Sequence, residues 1–290
     1  MDISGFADPW EHVRLLSDVN RNEMLLALLQ HHAPGNRVLE VGCGTGLLSC
    51  VAAKLGARQV FAVEPTPLAD LTRELVQING LTQVTVLEDR IESLTPQPVD
   101  LAFSELLNAD PFYEGIIDAM VAAQRWVVPG GRIAPSQLKV FVALTGGAGA
   151  AQDLAVALQQ VTDIGRLHDL KLGPLEEALQ TDTSNRFLSP KVMQVTPPTL
   201  AWSIPLGVDG AFQQEKSVSI VVEQDCDVGG AVVWFEADYG LHRSLHNAPS
   251  HPGHWGHLVF DWTTIQSLAV GDSVTLCLEV DDGELDVWIA

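Results

Sequence analysis

Residues 36–50, NRVLEVGCGTGLLSC, constrain this chain more than any other stretch. A short apolar run, Val38-Leu39-Glu40-Val41, stops at Gly42, Gly44 and Gly46, and an Ala- and Leu-rich helical pattern follows from Leu47 to Lys54. Glycines are needed where a strand turns sharply into a helix and its backbone must approach a ligand with no Cβ in the way. A second apolar run, Gln59 to Val63, ends in Glu64, about 20 residues beyond the glycines, where a carboxylate can take both ribose hydroxyls of a nucleoside. The same device serves dinucleotide enzymes, so the pattern predicts a nucleoside without saying which. The lesser reading of Glu64 is an acid that only closes a turn.

The segments around this turn alternate in type. Strands are expected at 37–41, 59–63, 83–87 and 99–103, and helices at 46–55, 67–78 and 114–125. That order predicts a parallel sheet covered on both faces, with ligands at the carboxyl ends of its strands. Glu40, Glu64, the segment from Glu88 to Glu92, and Glu105 all fall at or just past such ends. Upstream, residues 9–30 read as one helix, with Trp10, Val13, Leu16 and Val19 on one face and Asp18 and Arg21 together on a side. Downstream, Pro129-Gly130-Gly131 reads as a strong turn into a β-rich half. Runs at 137–143, 217–223, 231–236, 257–262, 273–280 and 285–289, with turns such as Asp227-Val228-Gly229-Gly230 and Asp281-Asp282-Gly283, predict an antiparallel barrel or sandwich.

Composition excludes some roles. No run approaches the roughly 18 uninterrupted apolar residues of a membrane span, and the N-terminus lacks a signal pattern, so the expectation is a cytoplasmic protein with no membrane partner. With 16 basic against 37 acidic side chains the net charge is −21, which disfavours nucleic acid and favours a cationic partner. Cys43, Cys50, Cys226 and Cys277 form no CxxC pair and read as free thiols. Five histidines cluster between His242 and His257 without a metal-ligand motif, so no metal is expected.

The most informative later stretch is Phe103-Ser104-Glu105 through Tyr113-Glu114-Gly115. Two glutamates nine apart bracket a loop that leaves the fourth strand. Close carboxylates repel unless a cation lies between them or one is protonated. A guanidinium has the forked donors that suit such a pair.

These motifs together resemble those of the protein arginine N-methyltransferases, in a compact member of their divergent branch. The matching segments are VLEVGCGTGLLS, FAVE, SELLNADPFYEG, the opening helix HVRLLSDVNRN, and His254-Trp255 before a β-run, similar to the family's Thr-His-Trp loop. The resemblance implies an α/β fold, with a Rossmann-like class I methyltransferase domain followed by an antiparallel β-barrel domain. Residues 1–35 would be cofactor-covering helices, 36–140 the S-adenosylmethionine domain and 141–290 the barrel. It implies methyl transfer to a guanidinium nitrogen of arginine, in a protein or free; the alternative is another N, O or carboxylate acceptor. Arg21 would hold the cofactor's carboxylate, Glu40 and the turn Gly42, Gly44 and Gly46 its amino end, Glu64 the ribose, and Ile91 with Glu92 the adenine. Glu105 and Glu114 would grip the substrate beside Trp255, and an Asp18–His254 pair would receive a proton. The sequence departs from the family's pattern at Phe6, Leu15, the loop centre Leu107 to Pro111, and Gly253, which bears on whether one or two methyl groups are added. A homodimer is expected through an arm at 146–186, with apolar Leu154, Val156, Leu158 and Leu167.

Overall fold

The computed structural model describes residues 15, 17–146, 158–163, 166, 171–174, 185–186, 194–250 and 253–290. The first described helix, α1 (Val19–His32), does not continue an unbroken helix from residue 9. Asp18 is extended, with φ −80° and ψ 93°, and its side chain accepts from the Arg21 N–H at 3.0 Å. A carboxylate that satisfies an otherwise orphaned first-turn donor starts a helix, so the Asp18–Arg21 spacing is a cap and not a surface pair. Trp10, Val13 and Leu16 of the expected helix lie outside the described residues. Met24, Leu25, Leu28 and Leu29 are the buried apolar side of α1.

Five parallel strands follow, β1 (Arg37–Val41), β2 (Gln59–Val63), β3 (Val84–Leu87), β4 (Val99–Ser104) and β5 (Val127–Ala134), in the order β3-β2-β1-β4-β5. Helices α2 (Leu47–Lys54), α3 (Leu68–Ile78) and α4 (Ile116–Gln124) cover them. Successive strand residues face opposite sides, and both sides here are packed. Val38, Val60, Leu101 and Phe103 join the core containing α1 and α2, while Leu39, Val41, Phe61 and Ala102 pack with Ala119, Ala123 and Trp126. Glu40 has the parity of Val38 and therefore enters the first of these layers. Strand order reverses between β1 and β4, and a crevice at that switch point is where such sheets take ligands.

Pro129-Gly130-Gly131 is not a turn between domains. It lies inside β5, where pairing with β4 steps from Val99–Val127 to Leu101–Arg132. The extra residues form a bulge, and a Cβ on Gly131 would stand 3.0 Å from the Asp100 carbonyl.

The second half is antiparallel. One sheet has the order β7-β12-β10-β6-β8, made of β6 (Gln137–Gly146), β7 (Asn185–Arg186), β8 (Thr199–Pro205), β10 (Cys226–Asp238) and β12 (His257–Leu268), with β11 (Leu245–His246) also on β10. A second sheet, β14-β13-β9, joins β9 (Glu215–Val221), β13 (Ser273–Asp281) and β14 (Glu284–Ile289). Asp227 to Gly230, read as a turn, is the start of the long β10; its ladder is bulged between Val228 and Gly230. A Cβ on Gly230 would sit 2.3 Å from the Phe260 carbonyl oxygen, so glycine there serves close strand approach. Strand β8 is additional to the runs expected from sequence. The chain is thus a Rossmann-like domain followed by an antiparallel barrel domain. No described helix is long and apolar enough to cross a membrane. Most of 146–186, including Leu154, Val156 and Leu167, lies outside the described residues; residues 158–163 are helical.

Candidate active site

The glycine turn is built from left-handed backbone. Gly42, Gly44 and Gly46 have φ of 72°, 53° and 75°. The N–H groups of Gly42 and Cys43 both donate to the Val63 carbonyl at 2.9 Å, which ties the end of β1 to the end of β2. Thr72 donates to the Gly44 carbonyl at 2.8 Å from the facing helix α3. A Cβ at Gly46 would meet Thr72 Cγ2 at 2.3 Å, and one at Gly42 would meet Leu106 Cδ2 at 2.5 Å.

Glu64 closes this turn. Its Oε2 accepts from Gly44 N at 2.8 Å and its Oε1 from Thr66 N at 2.9 Å. A carboxylate has about four lone-pair sites, so two remain for hydroxyls. Glu40 is buried under the turn and accepts from the Ser49 hydroxyl. Burial pushes its carboxyl up to about 8 against the Ser49 bond and the Arg21 charge. Cys43 is also buried, and burial raises its thiol well above the ordinary range, which suits a packed side chain and not a nucleophile. Ile91 is buried in a 3₁₀ turn, Ile91–Ser93, while Glu92 is exposed.

At the end of β4 the second half of the site begins. Ser104 donates to the Val41 carbonyl at 2.8 Å, and Tyr239, buried directly after β10, donates to the Ser104 carbonyl at 2.8 Å. Glu105 is therefore held from both domains. Its Oε2 receives Arg21 Nε at 2.6 Å and a terminal guanidinium nitrogen of the same side chain. Burial of Arg21 opposes its charge, but Glu105 outweighs this and raises its pKa. Glu105 Oε1 is buried and has no hydrogen-bond partner among the described residues.

Glu114 returns at the far end of the loop, where Asn108 Nδ2 donates to its Oε1 at 3.2 Å. Some surface of the residue stays accessible, yet its carboxyl is enclosed. Desolvation, then the charge of Glu105, pushes it up to about 8, against Asn108 and Arg21. Two acids in one enclosure thus resist ionising together. Asp110, within the loop, accepts from Leu285 N and Phe112 N at 2.8 and 3.0 Å, pinning the loop to β14.

Asp18 and His254 are brought together across 236 residues. Asp18 Oδ2 lies 2.9 Å from His254 Nδ1 and accepts from the His254 backbone N at 3.1 Å. Burial tends to raise the Asp18 carboxyl, but the Arg21 and His254 hydrogen bonds outweigh it and lower the pKa. For His254 burial wins over Asp18 and lowers the pKa, so the ring is neutral near pH 7. An ionised Asp18 accepts, which puts the proton on Nδ1 and leaves the lone pair on Nε2. Nε2 is buried without a partner among the described residues. Gly253 precedes it with φ 55°, and a Cβ there would stand 3.0 Å from Asp18 Oδ2. Close approach of the loop to Asp18 accounts for glycine where the family's motif has threonine. Trp255 is buried edge-on against Phe235 with ring centroids 5.3 Å apart.

Residues 22–138, from α1 to the start of β6, match the family model described as ribosomal protein L11 methyltransferase (PrmA). Over 313 aligned residues the chain is 29% identical to an arginine N(omega)-methyltransferase of Streptomyces achromogenes subsp. streptozoticus, covering 100% of this chain and 82% of that one. It is 27% identical over 283 residues to protein arginine N-methyltransferase PRMT10 of Arabidopsis thaliana, covering 86% of this chain and 73% of the relative. The solved structure of that Arabidopsis enzyme superposes with a TM-score of 0.81 at 24% identity, over 99% of this chain and 95% of the other. The Trypanosoma brucei PRMT1 enzyme–prozyme complex with AdoHcy gives 0.81 at 20% identity, over 99% and 93%. The glycine turn, the paired-glutamate loop and the Asp18–His254 junction occur in one chain whose two-domain fold and relatives are similar to protein arginine methyltransferases.

Proposed function

We propose that this chain methylates a terminal guanidinium nitrogen of arginine held between Glu105 and Glu114. S-adenosylmethionine, when bound, supplies an electrophilic sulfonium methyl group. The cradle fits such a donor: Gly42, Gly44 and Gly46 hold the left-handed turn at the end of β1 without a Cβ, and Glu64 keeps lone pairs for ribose hydroxyls at the end of β2. Ile91 and Glu92 would flank the adenine, and Glu40 with the glycine turn the amino end. Arg21 would reach the donor's carboxylate from its place beside Glu105.

The single observation that carries this reading is the state of Glu105. Its Oε2 is held by Arg21, while its Oε1 is buried and unpartnered among the described residues. An acceptor in that condition costs about 1–3 kcal/mol until a donor fills it. A guanidinium brings donors and a positive charge, which favours ionisation of Glu114 and removes the repulsion between the two acids. Trp255 contributes wall, by its burial beside His254.

Anchoring two nitrogens on carboxylates leaves the third oriented for in-line attack and localises its lone pair. A guanidinium is too weak an acid to be deprotonated beforehand. The C–N bond forms as the C–S bond breaks, and the proton leaves the nitrogen during or after that step. His254 Nε2 and Glu114 are the groups able to receive it.

The Streptomyces relative, aligned over the full length of this chain, is named for arginine and not for a protein, which supports free arginine as the substrate. Incubation with methyl-labelled donor and either free arginine or an Arg/Gly-rich peptide tests this, with label expected in arginine. Label in the peptide alone would move the substrate to proteins. Full activity of Glu105→Gln would overturn the clamp and favour another acceptor. The same family reading carries a homodimer through the 146–186 arm; light scattering showing monomer at micromolar concentration would count against it.

A further inference from the structure

We propose that Asn108 is a positioning residue for Glu114: it occupies Oε1, so that Oε2 is the oxygen presented to the substrate guanidinium. The inference rests on the clamp reading above and adds a residue to it. Asn108 lies on the loop between the two glutamates. Its Nδ2 donates to Glu114 Oε1 at 3.2 Å while its Oδ1 accepts from Ala109 N at 2.7 Å. The backbone bond fixes which end of the amide is oxygen, because only the oxygen can accept from that N–H. The donor end therefore points at Glu114, and the two bonds together lock the side chain.

Arg21 does the equivalent for the other acid by holding Glu105 Oε2 and leaving Oε1 unpartnered among the described residues. Each carboxylate then has one oxygen engaged by a protein donor and one left for substrate. A guanidinium gripped through one oxygen on each side has fewer ways to sit than one facing two free carboxylates. This narrows the approach of the reacting nitrogen. The groups facing Glu114 are Glu105 from the end of β4, Arg21 from α1, Glu64 from the end of β2, and Asn108 from its own loop. Asn108 opposes the burial and the Glu105 charge, so its loss favours the protonated, non-binding acid.

A local turn role and the positioning role separate in Asn108→Asp, which keeps an oxygen for Ala109 N and loses the donor to Glu114. We expect the Glu114 carboxyl, followed by ¹³C NMR with Glu114→Gln for assignment, to titrate at higher pH in Asn108→Ala, where the donor is lost without added charge, and higher still in Asn108→Asp, whose new carboxylate also repels it. We also expect kcat/KM for arginine to fall about tenfold near pH 7, the scale of one charge-assisted hydrogen bond, with most of the loss in kcat. A Glu114 titration unmoved in both variants overturns the proposal, as does a moved titration with unchanged kcat/KM. The titration needs no substrate, so it decides the Asn108–Glu114 link even if the wild-type enzyme transfers nothing to arginine. That second result would instead defeat the proposed function.

Discussion

Gly46→Ala tests the turn that organises the site. Gly46 has φ 75°, where an L side chain costs about 1–2 kcal/mol. The added Cβ would lie 2.3 Å from Thr72 Cγ2 and 2.8 Å from Thr72 Oγ1. Relief of such a clash costs about 1–3 kcal/mol in a packed core. Moving Thr72 also breaks its 2.8 Å bond to the Gly44 carbonyl, worth about 1 kcal/mol. The expected destabilisation is about 3–6 kcal/mol. At about 2–4 °C per kcal/mol for a chain of this size, the melting midpoint drops by roughly 6 °C or more in scanning calorimetry. Thr72→Ser removes the nearest atom and keeps the hydroxyl. Gly46→Ala in that background should therefore cost at least about 1 kcal/mol less, a coupling read from urea denaturation of the four proteins. Strict additivity, or a Gly46→Ala cost below about 1 kcal/mol, would refute the steric account. Donor affinity by calorimetry should fall in parallel, because the same turn sets Gly42 and Glu64.

Tyr239→Phe deletes the bond from the barrel to the Ser104 carbonyl and should cost about 1 kcal/mol of stability. Because Ser104 precedes Glu105, steady-state kinetics should show lower kcat with donor affinity kept. Burial and Glu105 raise the Glu114 carboxyl to about 8, so its binding-competent anion is lost as pH falls through that value. Consequently kcat/KM should drop about tenfold per pH unit below the limb, and Glu114→Gln should abolish both the limb and most of the activity. Glu40 is likewise raised by burial, from 4.5 to about 8. A pKa higher in the folded state means its contribution to stability is full below about 4.5 and lost as pH rises through about 8. Denaturation of Glu40→Gln should show a gain over wild type that grows through this window and is absent at pH 4.

The first half of the fold was legible because its signals are local. The runs at β1 and β2 and the glycines between them name a strand, a left-handed turn and a helix directly, and the observed strands match the expected spans at 37–41 and 59–63. Pro129-Gly130-Gly131 and Asp227 to Gly230 misled for a physical reason: bulges and close strand contacts use the same residues as turns. Strand β8 was missed because its exposure pattern does not alternate cleanly, and its ladder with β6 shifts between Val140 and Phe141. Asp18 was placed on a helix face because a cap and an interior position differ only in backbone angles. In the site, the glutamate pair was visible as charge repulsion waiting for a cation. Asn108 lay in plain view within the same loop, but its role depends on a side-chain orientation that spacing does not encode. Tyr239 meets Ser104 across 135 residues and had no sequence signal.

The proposed chemistry is methylation on nitrogen of a guanidinium held by Glu105 and Glu114. It is tested most directly by product analysis with S-adenosylmethionine carrying a ¹³C methyl group, using wild-type protein, Glu105→Gln and Glu114→Gln. Wild type should place the methyl on a guanidino nitrogen of arginine, located by ¹³C NMR and fragment mass. Each variant should bind the donor and lose at least about a hundredfold in transfer, as removal of a charged transition-state partner does. A methyl group on carboxylate or hydroxyl, or wild-type rates in either variant, would contradict the account.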